Sequence, residues 1–515
     1  MSNIVVSPHY LSTNAGIEIL QNGGNAIDAA IGTNIVQGVV APETCGIGGD
    51  LFSLIWINGE STPYCLDSSG YAGSNVDISQ LSTQESIPLD HPMSVTVPGA
   101  VKGWFSMHDR FGKLSIDDIF SHAIKICDEG FKVSTELHHS LLIHKETLNK
   151  QESGSELFPD GESPEIGAII KRSLLGKTLK RLSIDGPEYF YTGSVAKKIS
   201  EKLNHVITED DLRSFESKWI KPLSIDVYGK TGWVTPPHTQ SYLTLGTLKI
   251  YELLDDGSDN IDFHTLVESY RAIASERDEL TYDYGENIDQ FNGLNLGYLK
   301  TLSNLINKDT TSVFGQPKEL GGGTAYMCTK DNDGNAVSLI QSNFHGIGST
   351  IGVDDLGFFL HNRGAGFNLI HNHPNSLKPG RKPLHTLSPT MWSVDGNLDM
   401  IIGTRGGRYQ PQLLSHFILK ILKNENLELA MTSPRWNIDE FGKESVSEIN
   451  IEPGIDEKII NELIKKGHKV NQLNDLQNSY GPISAIVNTA DSWKALHDIR
   501  AVSYTHLTLP TNREV

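Results

Sequence analysis

At 515 residues, the chain is long enough for about three average domains or for one large intertwined α/β body. Its 43 basic and 63 acidic residues leave a net charge of −20, a surface that repels phosphate backbones and anionic membranes, so neither nucleic acid nor a membrane is an expected partner. No uncharged apolar run reaches the ~18–20 residues needed to cross a bilayer. The opening MSNIVVSPHYLSTNAG has neither a basic n-region nor an apolar h-region, and a cytoplasmic location is the expectation.

In chain order, Asn25 reads as the N-cap of a buried helix over 26–40 that Pro42 ends. Cys45-Gly46-Ile47-Gly48-Gly49-Asp50 follows, then a buried strand over 51–57 and an Asn58-Gly59 hairpin turn. A helix then precedes the glycines and a strand follows them, the reverse of a dinucleotide loop, so tight packing is their expected use. Helices are predicted over 100–111 and 115–127, with Gly130 closing the second, and over 239–255 and 262–280. The acidic group Asp255, Asp256 and Asp259 reads as a solvated loop. Gly321-Gly322-Gly323 reads as a flexible, exposed tripeptide of the kind found at processing sites.

Beyond it the pattern turns to strands. Runs over 324–331 and 336–343 flank Asn332-Asp333-Gly334-Asn335, and runs over 391–394 and 398–404 flank Asp395-Gly396, both hairpin signals. Gly406-Gly407 leads into a helix near Tyr409. Hairpins with helical blocks around them suggest antiparallel sheets covered by helices, an α+β class.

Thr324 carries the chemistry. A threonine hydroxyl needs a base, and if the bond before it is cut, its own α-amine serves. That amine has a reference pKa of roughly 7.7–8.0, suited to proton transfer near neutrality. Small residues before it let the backbone bend so that the hydroxyl reaches the Gly323 carbonyl, and an N-to-O acyl shift followed by hydrolysis cuts the chain.

Gly-Gly-Gly-Thr-Ala-Tyr followed by Asp331-Asn332-Asp333-Gly334-Asn335-Ala336-Val337-Ser338 resembles the nucleophile segment of the γ-glutamyltransferase family. Gly-Gly-Asn-Ala-Ile-Asp-Ala-Ala at 23–30, Gly-Ile-Gly-Gly-Asp, Val97-Pro98-Gly99, Asp210-Asp211-Leu212, Glu276-Arg277-Asp278, Leu387-Ser388-Pro389-Thr390 and Gly403-Thr404-Arg405-Gly406-Gly407 follow in the family's order. The resemblance implies a four-layer αββα N-terminal-nucleophile fold. It also implies cleavage between Gly323 and Thr324 into a large segment, 1–323, and a small one, 324–502, intertwined as a heterodimer. Thr324 matches the nucleophile, Gly406 and Gly407 the oxyanion-hole glycines, and Ser342 a hydroxyl that orients the nucleophile's amine. Asn343 and Thr386 match substrate contacts. No cofactor is implied; the expected partners are a small acyl amide and water or an amine acceptor.

The glutamyl-recognition groups depart from the family. Ser69 stands where an arginine grips the substrate carboxylate, Ala365 and Gly366 where an acidic pair holds the amine, and Ala325 where a second threonine is common. Arg363, Arg405 or Arg408 could replace the clamp, with a salt bridge as the competing use of each. Three readings stay open: a γ-glutamyl enzyme of the glutathione type, an acylase of another specificity such as glutaryl or cephalosporin acylases, and a scaffold without turnover. The histidines 361, 371, 373 and 385 lack metal-ligand spacing and read as surface-loop residues, so no metal is expected. Cys45, Cys65, Cys127 and Cys328 form no CxxC pair and read as buried thiols. Residues 503–515 match nothing in the family and read as a non-native tail.

Overall fold

The computed structural model describes residues 3–315, 317, 322–440, 448–501 and 506–508. Two antiparallel sheets form its centre. The first runs in the order His506–Thr508, Ile4–Val6, Gly323–Lys330, Ala336–Phe344, Asp50–Trp56, Tyr64–Ser68, Lys218–Ile220. The second runs Trp493–His497, Ile483–Asn488, Asn397–Thr404, Thr390–Val394, Lys230–Val234, Leu223–Val227.

Strand alternation sorts the side chains into layers. Along Gly323–Lys330, Tyr326 and Cys328 join Phe52, Ile340, Met391, Ile401 and Ile486 between the sheets. Ala325 and Met327 point the other way, into helices Tyr10–Gln21, Ala26–Val40 and Ala100–Phe111. Trp392, Met400 and Ile402 pack outward from the second sheet against Tyr242–Leu254, Phe263–Ala274 and Gln410–Leu422. The result is the expected αββα stack. In both sheets strands from before Thr324 are hydrogen-bonded to strands from after it, Ile4–Val6 to Gly323–Lys330 and Asp50–Trp56 to Ala336–Phe344 in the first and Lys230–Val234 to Thr390–Val394 in the second, so each segment completes the other's ladder.

Local chemistry explains the element ends. Asn25 and Asp28 form a reciprocal capping box on Ala26–Val40, satisfying two otherwise orphaned N–H groups. Asp395 and Gly396 both have positive φ, as a tight hairpin turn requires. Gly48 and Gly49 are packing residues: a methyl on Gly48 would meet the Phe359 carbonyl oxygen at 2.1 Å, and one on Gly49 the Ser342 carbonyl oxygen at 2.7 Å.

Three expectations need correction. Gly322 and Gly323 are half-buried, with Gly323 opening a strand, because Phe344 and the Glu43 backbone pack on them; Gly321 lies outside the described residues. Asp255 is not a solvated acid, since it accepts hydrogen bonds from Tyr228 Oη and Lys423 Nζ. His361 and His385 are fully buried rather than on surface loops, because the segments carrying them run beneath the site described below. All four cysteines are buried free thiols. Of residues 503–515, only 506–508 are described, and they pair with Ile4–Val6. Among the described residues no helix is long and apolar enough to cross a membrane.

Candidate active site

Thr324 is fully buried on the strand beginning at Gly323, and its neighbour is the end of Ala336–Phe344. The register shifts between Gln341 and Phe344, which brings Ser342 beneath the Gly323-Thr324 bond. Ser342 Oγ donates to the Gly323 carbonyl oxygen at 2.5 Å, and the Thr324 hydroxyl lies 3.4 Å from the same Oγ. The Phe344 N–H donates to Ser342 Oγ at 2.8 Å and fixes its lone pairs. One hydroxyl therefore polarises the carbonyl before Thr324 and aligns the Thr324 hydroxyl beside it.

The second sheet delivers Gly406 and Gly407. Strand Asn397–Thr404 ends into a turn where their φ angles are +125° and +52°, a backbone path that only glycine follows cheaply. Among the described residues neither N–H donates to a protein acceptor. A methyl on Gly322 would lie 3.4 Å from the Gly407 Cα, so this turn faces the segment preceding Thr324. Gln240, which sequence reasoning missed, is buried with its Nε2 donating to the Gly407 carbonyl at 3.0 Å and to the Thr386 carbonyl at 3.1 Å. It ties the glycine turn to the segment bearing Thr386.

Arg363 closes the group. Its Nη2 lies 3.4 Å from Ser342 Oγ, its Nη1 3.4 Å from Thr386 Oγ1, and its guanidinium stacks 4.1 Å from the Phe344 ring centre. Burial lowers its pKa to about 9, against the raising influence of Asp50. His361 Nε2 donates to the Thr96 carbonyl at 2.8 Å, so its Nδ1 accepts the Arg363 N–H at 3.1 Å. Burial pulls His361 down to about 3 and His385 well below the ordinary imidazole range, so both are neutral. Asp50, opposite Ser342 in the sheet, is raised by burial to about 7 despite Arg363.

Thr324, Ser342, Thr386 and Arg363 thus meet, with Gly406 and Gly407 alongside. Asn343 does not join them, because alternation turns its side chain away and its Nδ2 donates to the Pro42 carbonyl at 3.1 Å. A cleft of about 740 Å³ opens at this point, with Gly322, Gly323, Phe344, Glu43, Arg405 and Gly406 in its walls. Arg405 is held by a bidentate pair with Glu136, and Arg408 donates to Tyr409 Oη at 2.9 Å. Burial and the neighbouring Glu136 charge raise Glu43 to about 8, leaving a neutral acid in the wall at neutral pH. Phe344, at φ +74°, is the further residue sequence missed; no local pattern signals it. Among the described residues no group of His, Cys, Asp or Glu is arranged to hold a metal.

The gamma-glutamyltranspeptidase family model matches residues 12–506. The chain belongs to that family. It is 32% identical over 495 residues to a glutathione hydrolase-like YwrD proenzyme of Bacillus subtilis, covering 94% of each chain. It is 31% identical over 498 residues to an oxamate amidohydrolase proenzyme of Klebsiella pneumoniae, again covering 94% of each. Its fold matches a cephalosporin acylase from Bacillus halodurans with a TM-score of 0.89 and 26% identity, over 100% of this chain and 96% of that one. This gamma-glutamyltranspeptidase family member is therefore an enzyme of the hydrolase and acyltransferase class, on an N-terminal-nucleophile fold.

Proposed function

We propose that the chain cuts itself before Thr324 and then works as an N-terminal-threonine amidohydrolase or acyltransferase on a small acyl amide. The observation that carries this reading is the shared contact of Ser342 Oγ with the Gly323 carbonyl and the Thr324 hydroxyl. Attack of Thr324 Oγ on the Gly323 carbonyl carbon forms an ester and breaks the C–N bond. Water then hydrolyses that ester, leaving a Gly323 carboxylate and a Thr324 α-amine.

In turnover the α-amine takes the Oγ proton as Oγ attacks the substrate amide. The Gly406 and Gly407 N–H groups hold the developing oxyanion, donors typically worth ~3–4 kcal/mol each. The leaving amine departs with the proton, and water or a second amine releases the acyl group from Thr324. Segments 1–323 and 324–502 stay together as a heterodimer, since each supplies strands to both sheets.

The acyl amide is of the γ-glutamyl type or a relative of it. An acylase of different specificity is favoured by one observation. Ser69, where the family's carboxylate-gripping arginine belongs, spends its hydroxyl on Asp67 at 2.6 Å and faces His238 Nε2 at 3.0 Å.

Intact-mass analysis of purified protein should find fragments of 323 and 192 residues, and Thr324→Ala should leave one chain. An acyl-trapping reagent should label Thr324 in the cut protein. An uncut wild type that takes no label would defeat the proposal and leave a scaffold role.

A further inference from the structure

Arg172, Arg271, Arg277 and Arg363 are among the most deeply buried side chains of the molecule. The first three each have a carboxylate within ion-pair distance: Glu156, Glu268 and Asp278. Among the described residues Arg363 has none. Its hydrogen bonds run to two hydroxyls at 3.4 Å, and its Nε, fully enclosed, has no partner. A buried cation without a counter-charge is costly, so such a group persists where something else supplies the anion.

Asp50, whose charge acts on Arg363, makes neither a hydrogen bond nor a close ion pair with it. Its Oδ1 accepts the Gly70 N–H at 3.1 Å, and its Oδ2 lies between His361 Nδ1 and His385 Nε2, 3.6 Å from each. The neutral histidines contribute no charge of either sign.

We infer that the substrate's acyl group carries a carboxylate roughly one to three carbons from the scissile carbonyl, seated on Arg363, and no ammonium beside it. The inference rests on the Thr324 reading above and narrows its substrate class. Spacing follows from position: Arg363 Nη2 reaches Ser342 Oγ, which in turn reaches Thr324 Oγ1, so the guanidinium is at most those two contacts from the nucleophile. Only a short chain bridges them. Phe344, Ala365 and Leu384 form a small apolar cluster that suits intervening methylenes, and Phe344 and Ala365 also line the cleft.

An ammonium finds no equivalent partner. Residues 365 and 366 are Ala and Gly, Glu136 is committed to Arg405, and Asp67 is committed to Lys382 at 2.8 Å. Glu43, the other acid of the cleft wall, is neutral at pH 7 by virtue of its burial.

The test uses three anilides that share one leaving group: glutaryl, γ-glutamyl and pentanoyl. Glutaryl and γ-glutamyl differ only by the α-amine; glutaryl and pentanoyl differ by the carboxylate. For the self-cut wild type, kcat/KM for glutaryl should exceed that for pentanoyl by about 100-fold and that for γ-glutamyl by about 10-fold. Arg363→Lys should shrink the glutaryl-to-pentanoyl ratio about 10-fold, chiefly through KM, since ammonium lacks the guanidinium fork. Equal turnover of glutaryl and pentanoyl, or preference for γ-glutamyl, overturns the inference. Intact mass separates the two levels: a cut protein indifferent to the carboxylate sinks this inference alone, and an uncut, inactive one sinks the Thr324 reading with it.

Discussion

Gly322 and Gly407 approach backbone to backbone, close enough that a methyl on the first would lie 3.4 Å from the Cα of the second. The turn that would hold an oxyanion thus already faces the residues leading to the bond before Thr324. Gly406 sets that turn with φ +125°, and a side chain there would come within 3.1 Å of the Ser479 carbonyl oxygen. Gly406→Ala is expected to lower kcat by ~10²–10³ with a smaller change in KM, measured on the cut enzyme.

Ser342 should govern maturation as well as turnover. Removing its hydroxyl in Ser342→Ala strips the Gly323 carbonyl of its donor and leaves the Thr324 hydroxyl unaligned. A charge-free hydrogen bond in a buried site supports a ~10-fold slowing of self-cleavage, and Ser342→Thr should recover most of it. A time course of chain cutting by gel or mass spectrometry reads this directly.

Gln240 touches neither the nucleophile nor the cleft wall, yet it braces the Gly407 and Thr386 carbonyls with one amide group. Gln240→Leu should reduce kcat about 10-fold while KM stays near its original value, since the loss is in positioning the oxyanion donors. A KM rise of the same size would point instead to a disrupted substrate pocket.

Glu43 gives a pH signature. Burial lifts its carboxyl from 4.5 to about 8, so the folded state holds this proton more tightly than the unfolded chain does. Its contribution to stability is complete below pH 4.5 and is lost as pH rises through about 8. Glu43→Gln keeps the shape without the proton, so between pH 5 and pH 8 the wild type should lose more thermal stability than the variant, by roughly a few degrees. Parallel melting curves with equal slopes would contradict this.

Features written in local patterns were legible in the sequence. The Asn25 cap, the Asp395-Gly396 turn and the strand alternation around Thr324 each follow from short-range sterics, and the two sheets follow from them. What stayed hidden was built by distant segments converging. Asp50, His361 and His385 come from separate segments yet gather within 3.6 Å around one carboxylate oxygen, and Gln240 joins the Thr386 segment to the glycine turn; nothing near any of them in the chain announces this. His361 and His385 show no metal-ligand spacing and no periodicity that fixes their depth, whereas the fold buries both completely. Asn343 and Phe344 differ by one position, and the register shift before Phe344 turns Phe344, not Asn343, toward the cleft.

The pairing of strands from both sides of Thr324 within each sheet has a consequence for the life of the molecule. On the proposed self-cleavage, the Thr324 amine would arise only where the two sheets have already assembled around it, and a misfolded copy would stay chemically silent. A chain cut there would no longer have the covalent thread that guided the pairing of its halves, and after unfolding it would have to reassemble from two pieces. Maturation by that route would be a one-way certificate of correct assembly.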